Sequence, residues 1–213
     1  MTINNDDLLN SIMESLNRIE NIKVEDIPNI DLYMDQLTTF MDEKLRRTTR
    51  YPLDDKILTK TMINNYAKND LLPPPVRKKY SKDHLILLIF IYYFKNILSI
   101  NDIQTLLDPV KERFHVSDTD GLTLSDIYRE IYTLEDEELT VVEKDIRDKY
   151  EKSLETFDDA PDEMKDRLQT FSFMSLLAYD VYVKKLIIEK MLDGFSETEE
   201  DGKSKKKDKK NKE

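Results

Sequence analysis

The chain contains no cysteine and no tryptophan, and only three of its 213 residues are glycine and seven proline. Without cysteine there is no disulfide, no thiolate nucleophile and no cysteine-ligated zinc. So few glycines and prolines argue against a turn-rich β-fold. Long hydrophobic runs are missing too. The longest, Leu85–Phe94, is far short of the roughly 20 residues that cross a bilayer, and reads as a buried helix. Met1–Leu9 lacks the basic start and apolar run of a secretory signal. The motifs of common enzymes are absent: no glycine-rich phosphate loop, no paired metal-binding histidines, no serine elbow. The two histidines, His84 and His115, stand apart. Asp118–Thr123 carries part of a calcium-loop pattern without its closing glutamate. The expectation is a cytoplasmic chain without enzymatic activity, cofactor or metal, and without a membrane span.

What is present is charge, and it is segregated. The net charge is −11. Yet Lys44–His84 holds eleven Lys or Arg against four Asp, a local +7 that leaves −18 for the rest. Such an island within an acidic chain is the electrostatic footprint expected of a face that docks on a polyanion.

Apolar spacing divides the chain into helices. Leu8, Leu9, Ile12, Met13, Leu16 and Ile19 mark an amphipathic helix from Asp6 to Ile22, with Asn5 or Asp6 as its cap. After Pro28, Asp31 is read as the cap of a helix carrying Leu32, Met34, Leu37, Phe40, Met41 and Leu45. Thr59 or Thr61 starts a short helix through about Lys68, and Asp70 is its left-handed stop. Pro73–Pro75 forces an extended path, and Val76–Tyr80 suffices for one arm of a small hairpin. Ser81 caps a helix through Ile97, and Ser99 another through Leu107, with Asp102 at the capping-box position. Leu122–Phe157 is helical in pattern but interrupted by Glu135–Glu138. A last helix begins at Pro161, runs through Leu192 and stops at Gly194; the charged stretch beyond reads as disordered.

Residues Met62–Leu107 resemble the MerR family of winged-helix transcription factors. There, the second helix of a helix-turn-helix ends Thr-Leu-Arg-Tyr-Tyr-Glu and leads to Gly-Leu-Leu-Pro. Here Met62-Ile63-Asn64-Asn65-Tyr66-Ala67 leads to Asp70-Leu71-Leu72-Pro73. The family's wing ends Arg-Arg-Tyr-Ser, and Lys78-Lys79-Tyr80-Ser81 stands in its place. The family's Gly-Phe-Ser turn between two helices is matched by Ile97-Leu98-Ser99-Ile100. The wider match, with Leu58-Thr59-Lys60-Thr61 and Met34-Asp35-Gln36-Leu37, is similar to a bacterial MerR-like group known as a domain of unknown function. Asn64 and Asn65 replace the family's arginine and first tyrosine, and Asp70 its glycine.

The resemblance implies an all-α fold: a winged helix-turn-helix N-terminal half with a minimal β-wing, followed by a helical C-terminal half. The segments are an N-terminal helix (1–30), a MerR-like winged helix-turn-helix domain (31–110), an acidic helical domain for dimerisation or an effector (111–195), and a charged tail (196–213). It implies a homodimer, a small-molecule or protein effector bound by the C-terminal half, and double-stranded DNA as partner.

On a helix, Lys60, Asn64 and Lys68 share a face, with Thr61 and Asn65 in the adjacent row. Asn can fork onto adenine and Lys can neutralise phosphate. Asn64 and Asn65 are therefore the candidate base readers, Lys60, Thr61 and Lys68 the phosphate contacts, and Arg77, Lys78 and Lys79 the wing tip. Tyr80 either joins this DNA-binding set or packs to anchor the wing, and Tyr66 is open to the same core reading. The function expected is a transcriptional regulator that reads duplex DNA through 59–68 and a basic wing at 76–80. The alternative is a protein-interaction module that keeps the winged-helix scaffold without DNA readout.

Overall fold

In chain order the elements are α1 (Asn5–Leu16), β1 (Leu32–Tyr33), α2 (Met34–Leu45), α3 (Lys60–Lys68), β2 (Lys79–Tyr80), α4 (Lys82–Phe94), α5 (Ile100–Lys111), α6 (Leu124–Leu154) and α7 (Asp162–Lys210), with 3₁₀ turns at Val24–Asp26 and Arg46–Thr48. The fold is mainly α with one small two-stranded sheet. The computed structural model describes residues 5–16, 22–117, 119 and 121–210, with side chains except at 5, 6, 8 and 196–210. Ile19 of the first expected helix, and Asp118 and Asp120 of the partial calcium pattern, lie outside the described residues. Among those described, no helix is long and apolar enough to cross a membrane.

The run Leu85–Phe94 organises the first core. Every residue from His84 to Tyr92 is buried in α4. A helix apolar around its whole circumference is stable only when surrounded. The surrounding comes from Leu37, Met41 and Leu45 of α2, Ile63 and Tyr66 of α3, Ile103 and Leu107 of α5, and Leu124 and Tyr128 of α6. Ile22, Val24 and Ile27 close the same cluster, so this unit begins at residue 22, before the boundary at 31 read from the sequence. The buried Tyr128 hydroxyl donates to the Ile22 carbonyl at 2.6 Å. Leu192, with Ile188 at its edge, seals the cluster from α7.

A second, smaller cluster joins Met13, Ile146, Tyr150 and Phe173. The described residues of 1–30 thus split between two cores: α1 packs on α6 in the second, while Ile22–Ile27 belongs to the first.

Local chemistry explains most boundaries. Thr59, not Thr61, caps α3, its Oγ1 accepting from Met62 N at 3.2 Å. Ser99 and Asp102 form the expected capping box on α5, and Thr123 and Asp126 an equivalent one on α6. That box and Arg129 hold the Asp126 carboxyl below the usual carboxylate range, the Thr123 hydrogen bonds first. α5 continues through Pro109 to Lys111, past the expected end at Leu107.

Two expectations are corrected. Asp31 does not cap α2, because Leu32–Tyr33 is drawn into antiparallel pairing with Tyr80 and Lys79. Tyr33 takes the cap position, and its N–H donates to Gln36 Oε1 at 2.9 Å. Glu135–Glu138 interrupts the apolar repeat but not α6, since its three glutamates are good helix formers and all four residues are exposed. α7 passes Gly194, the stop read from the sequence, and reaches Lys210. Gly194 and Gly202 cost the helix only about 1 kcal/mol each, and the Lys and Glu residues around them favour helix.

Candidate nucleic-acid interface

The site is built on α3. Ile63 and Tyr66 point into the core and fix the helix's rotation. That leaves Lys60, Thr61, Asn64, Asn65 and Lys68 exposed together, as the spacing requires. Among the described residues, neither the Asn64 nor the Asn65 side-chain amide has a hydrogen-bond partner in the chain, so both forks are open.

α3 ends sharply. Asp70 is left-handed, with φ +53°. Leu71 N–H bonds back to the Tyr66 carbonyl at 2.9 Å, the six-to-one closure of a Schellman cap. Leu71 and Leu72 are then fully buried, and Lys111 Nζ donates to the Asp70 carbonyl at 3.0 Å. The end of α3 is therefore anchored from the core and from α5.

After the three prolines the chain makes a tight turn. Val76 N–H bonds Lys79 O at 3.1 Å and Lys79 N–H bonds Val76 O at 3.0 Å. The central residues Arg77 and Lys78 have φ of +52° and +65°. Two positive φ values define a type I′ turn, which favours Asn-Gly. Two long basic side chains in it cost on the order of 1–2 kcal/mol each. Both are exposed. Lys79 is half-buried, its Nζ 5.2 Å from the Tyr33 ring centroid.

Tyr80 is corrected from a DNA-contacting candidate to a packing residue. It is only 3% exposed, with its ring set edge-on 5.3 Å from His84. The reason is alternation along β2, which turns Lys79 out and Tyr80 in. Burial pushes the phenol's pKa up and keeps it neutral. His84 is a core residue. Its Nδ1 accepts from Ser81 N–H at 3.0 Å, closing a capping box, and burial first of all lowers its pKa.

The basic island read between Lys44 and His84 is narrower in three dimensions. Lys44 pairs with Asp26 at 3.1 Å. Arg46 pairs with Asp42 and donates to the carbonyls of Pro52 and Asp55, each at 2.7 Å, so it staples the loop after α2. Lys82 is bonded to Asn29 at 3.2 Å. Exposed in the island and without a carboxylate partner among the described residues are Arg47, Arg50, Lys56, Lys68, Arg77 and Lys78. Lys60 is exposed but pairs with Asp35 at the start of α2, next to Tyr33, which is Lys79's partner across the sheet.

Asp35 and Tyr33 are the site residues missed from sequence. Asp35 lies 25 positions before Lys60, and no local spacing connects them. Tyr33 was absorbed into the expected helix, although a β-favouring Leu-Tyr pair just before it was the available signal. As a surface, the arrangement offers two open amide forks flanked by exposed cations. It contains no nucleophile–base pair.

No curated protein matches the chain, and no solved structure does. Residues 22–131 match the family described as "Domain of unknown function (DUF1836)". That span contains every buried member of the first core except Leu192. Covering just over half of the sequence, the match shows that the chain belongs to this family.

Proposed function

We propose that the protein is a bacterial, cytoplasmic, DNA-binding transcriptional regulator of MerR-like winged helix-turn-helix type. In this reading α2 and α3 are the helix-turn-helix, α3 lies in the major groove, and the turn at 76–80 is the wing on the flanking backbone. The observation that carries it is the exposure of Lys60, Thr61, Asn64, Asn65 and Lys68 on one side of α3, while Ile63 and Tyr66 hold the other side in the core. The Arg77-Lys78 turn supports it: strained backbone presenting two cations is retained where the side chains serve a purpose. Asn64 and Asn65 read base edges; Lys60, Thr61, Lys68, Arg77, Lys78 and Lys79 hold phosphates.

The reading includes a homodimer. Phe171, Met174, Tyr179, Val181, Tyr182 and Leu186 of α7 are 61%, 56%, 65%, 58%, 62% and 43% exposed. Phe171, Tyr182 and Leu186 lie on the side of the helix away from Phe173, with Met174, Tyr179 and Val181 on its flanks. At ~100 Å² each they offer roughly 600 Å² per copy, approaching the ~800 Å² per partner of a standard interface. The same apolar face favours the second reading, a protein-interaction module without DNA readout.

The test is selection of bound sequences from a random duplex pool, followed by affinity against salt. An enriched, two-fold symmetric site with steep salt dependence is the expected result. Retention of one protein partner with no duplex retained at low salt would establish the second reading instead.

A further inference from the structure

A second basic feature lies away from α3's exposed face. The loop after α2 and the end of α4 enclose a surface cavity of about 370 Å³. Three cations line it, Arg50, Lys56 and Lys95, with Thr48, Tyr92 and a single carboxylate, Asp55. Asp55 is engaged elsewhere, accepting from Tyr51 N–H at 2.9 Å. Among the described residues, none of the three cations has a carboxylate within 4.0 Å.

Lys95 is the central group. It is half-buried; its Nζ donates to the Ile57 carbonyl at 2.7 Å and lies 4.9 Å from the Tyr92 ring centroid. An ammonium has three donors, and only one is taken here. The floor beneath it is rigid: Tyr92 OH and Thr48 Oγ1 are 2.8 Å apart, and Thr48 Oγ1 also donates to Leu45 O at 2.8 Å. Burying cationic charge without a counter-charge is unfavourable, and burial lowers the Lys95 pKa. A counter-anion relieves that cost.

We infer that this cavity is a binding site for a small, multiply charged oxyanion of the phosphate type, held by Lys95 with Arg50 and Lys56. The recessed shape and the size, within the ~300–1,000 Å³ of small-molecule sites, favour a small ligand over a duplex backbone. The site is linked to the proposed interface along the chain. Lys95 holds Ile57, two residues before the α3 cap Thr59. An anion that draws Lys95 Nζ away from Ile57 loosens the chain leading into α3. The binding claim stands without the DNA reading.

Calorimetric titration of the full chain with inorganic phosphate, at fixed ionic strength with acetate as the monoanion control, tests it. One saturable phosphate site, with acetate at least tenfold weaker, is expected. Lys95→Gln should weaken phosphate at least tenfold, and Lys78→Gln should leave it unchanged. Because Lys95 also holds Ile57, Arg50→Gln and Lys56→Gln serve as exposed variants that preserve the fold; each should weaken phosphate several-fold, with an unchanged circular dichroism spectrum. The proposal fails if phosphate shows no saturation, or if acetate matches it. It fails equally if the Arg50 and Lys56 variants weaken a short duplex but not phosphate, which would make the cavity part of a nucleic-acid surface.

Discussion

In α4, nine consecutive residues from His84 to Tyr92 are buried. In the much longer α7, only Gln169, Phe173 and Leu192 are buried among the side chains described. Both helices contain Leu, Ile, Phe and Tyr, but α4 is apolar at ten of its 13 positions and all round, whereas α7 is apolar at 18 of 49 and mixes them with charge. The arrangement of neighbours follows that difference. α4 has partners on all sides, and only its end, at Tyr92, reaches a surface cavity. α7 packs against α6 and, around Ile188 and Leu192, against the first core, and leaves the rest of its surface in solvent. α3 has the same half-committed character with polar side chains. Surfaces available for partners therefore sit on α3 and α7, and α4 is the scaffold that positions them.

The largest expected effect tests that contrast directly. Leu88→Ala in α4 should cost about 2–5 kcal/mol of stability in urea denaturation. Met174→Ala on the free face of α7 should stay within about 0.5 kcal/mol at concentrations too low for self-association. Equal costs would break the comparison. Next, Phe171→Asp with Tyr182→Asp should convert a dimer to a monomer in sedimentation, leaving helix content unchanged. A dimer that survives both charges places the interface elsewhere.

The α3 side is sharpened by a smaller effect. Lys78→Gln should weaken duplex binding about five- to tenfold and reduce the salt slope by about 0.9, whereas Lys44→Gln should change neither. Lys44 already has Asp26. Lys78→Gly should weaken the duplex similarly and raise stability by about 1 kcal/mol, because glycine adopts positive φ without strain. A stability gain without loss of binding would leave the turn without the purpose assigned to it.

The smallest effect is on pH. His84 is buried neutral, so its pKa is lower in the folded state than in the unfolded chain. The unfolded state then binds the extra proton first. Stability from this group is complete above the unfolded value of about 6.5 and is lost as pH falls through the folded one. His84→Gln can keep an acceptor for Ser81 N–H and should flatten the acid limb of the stability profile. An unchanged limb would mean that other groups set it.

Local signals were legible. The Thr59, Ser81 and Ser99 caps, the left-handed stop at Asp70 and the apolar side of α2 follow from chemistry within a few residues, and the structure contains each. The exposed face of α3 was legible for the same reason: Ile63 and Tyr66 are three apart, and that spacing sets which residues point outward. The misses are long-range. Leu32–Tyr33 became a strand because Lys79–Tyr80 comes alongside it, and Tyr80 left the proposed contact set through the same pairing. Lys44, Arg46, Lys60 and Lys82 of the basic island are each engaged within the chain, by Asp26, Asp42, Asp35 and Asn29.

From sequence alone, this protein was determined to be a helical chain with an all-round apolar helix at its centre and positive charge gathered just before it. Those properties depend on residue type and on a period of three to four positions, which any helix imposes. Which cations stay free, which tyrosine turns inward, and which side of α7 remains uncovered were decided by the tertiary structure, because each depends on groups brought into contact from distant parts of the chain.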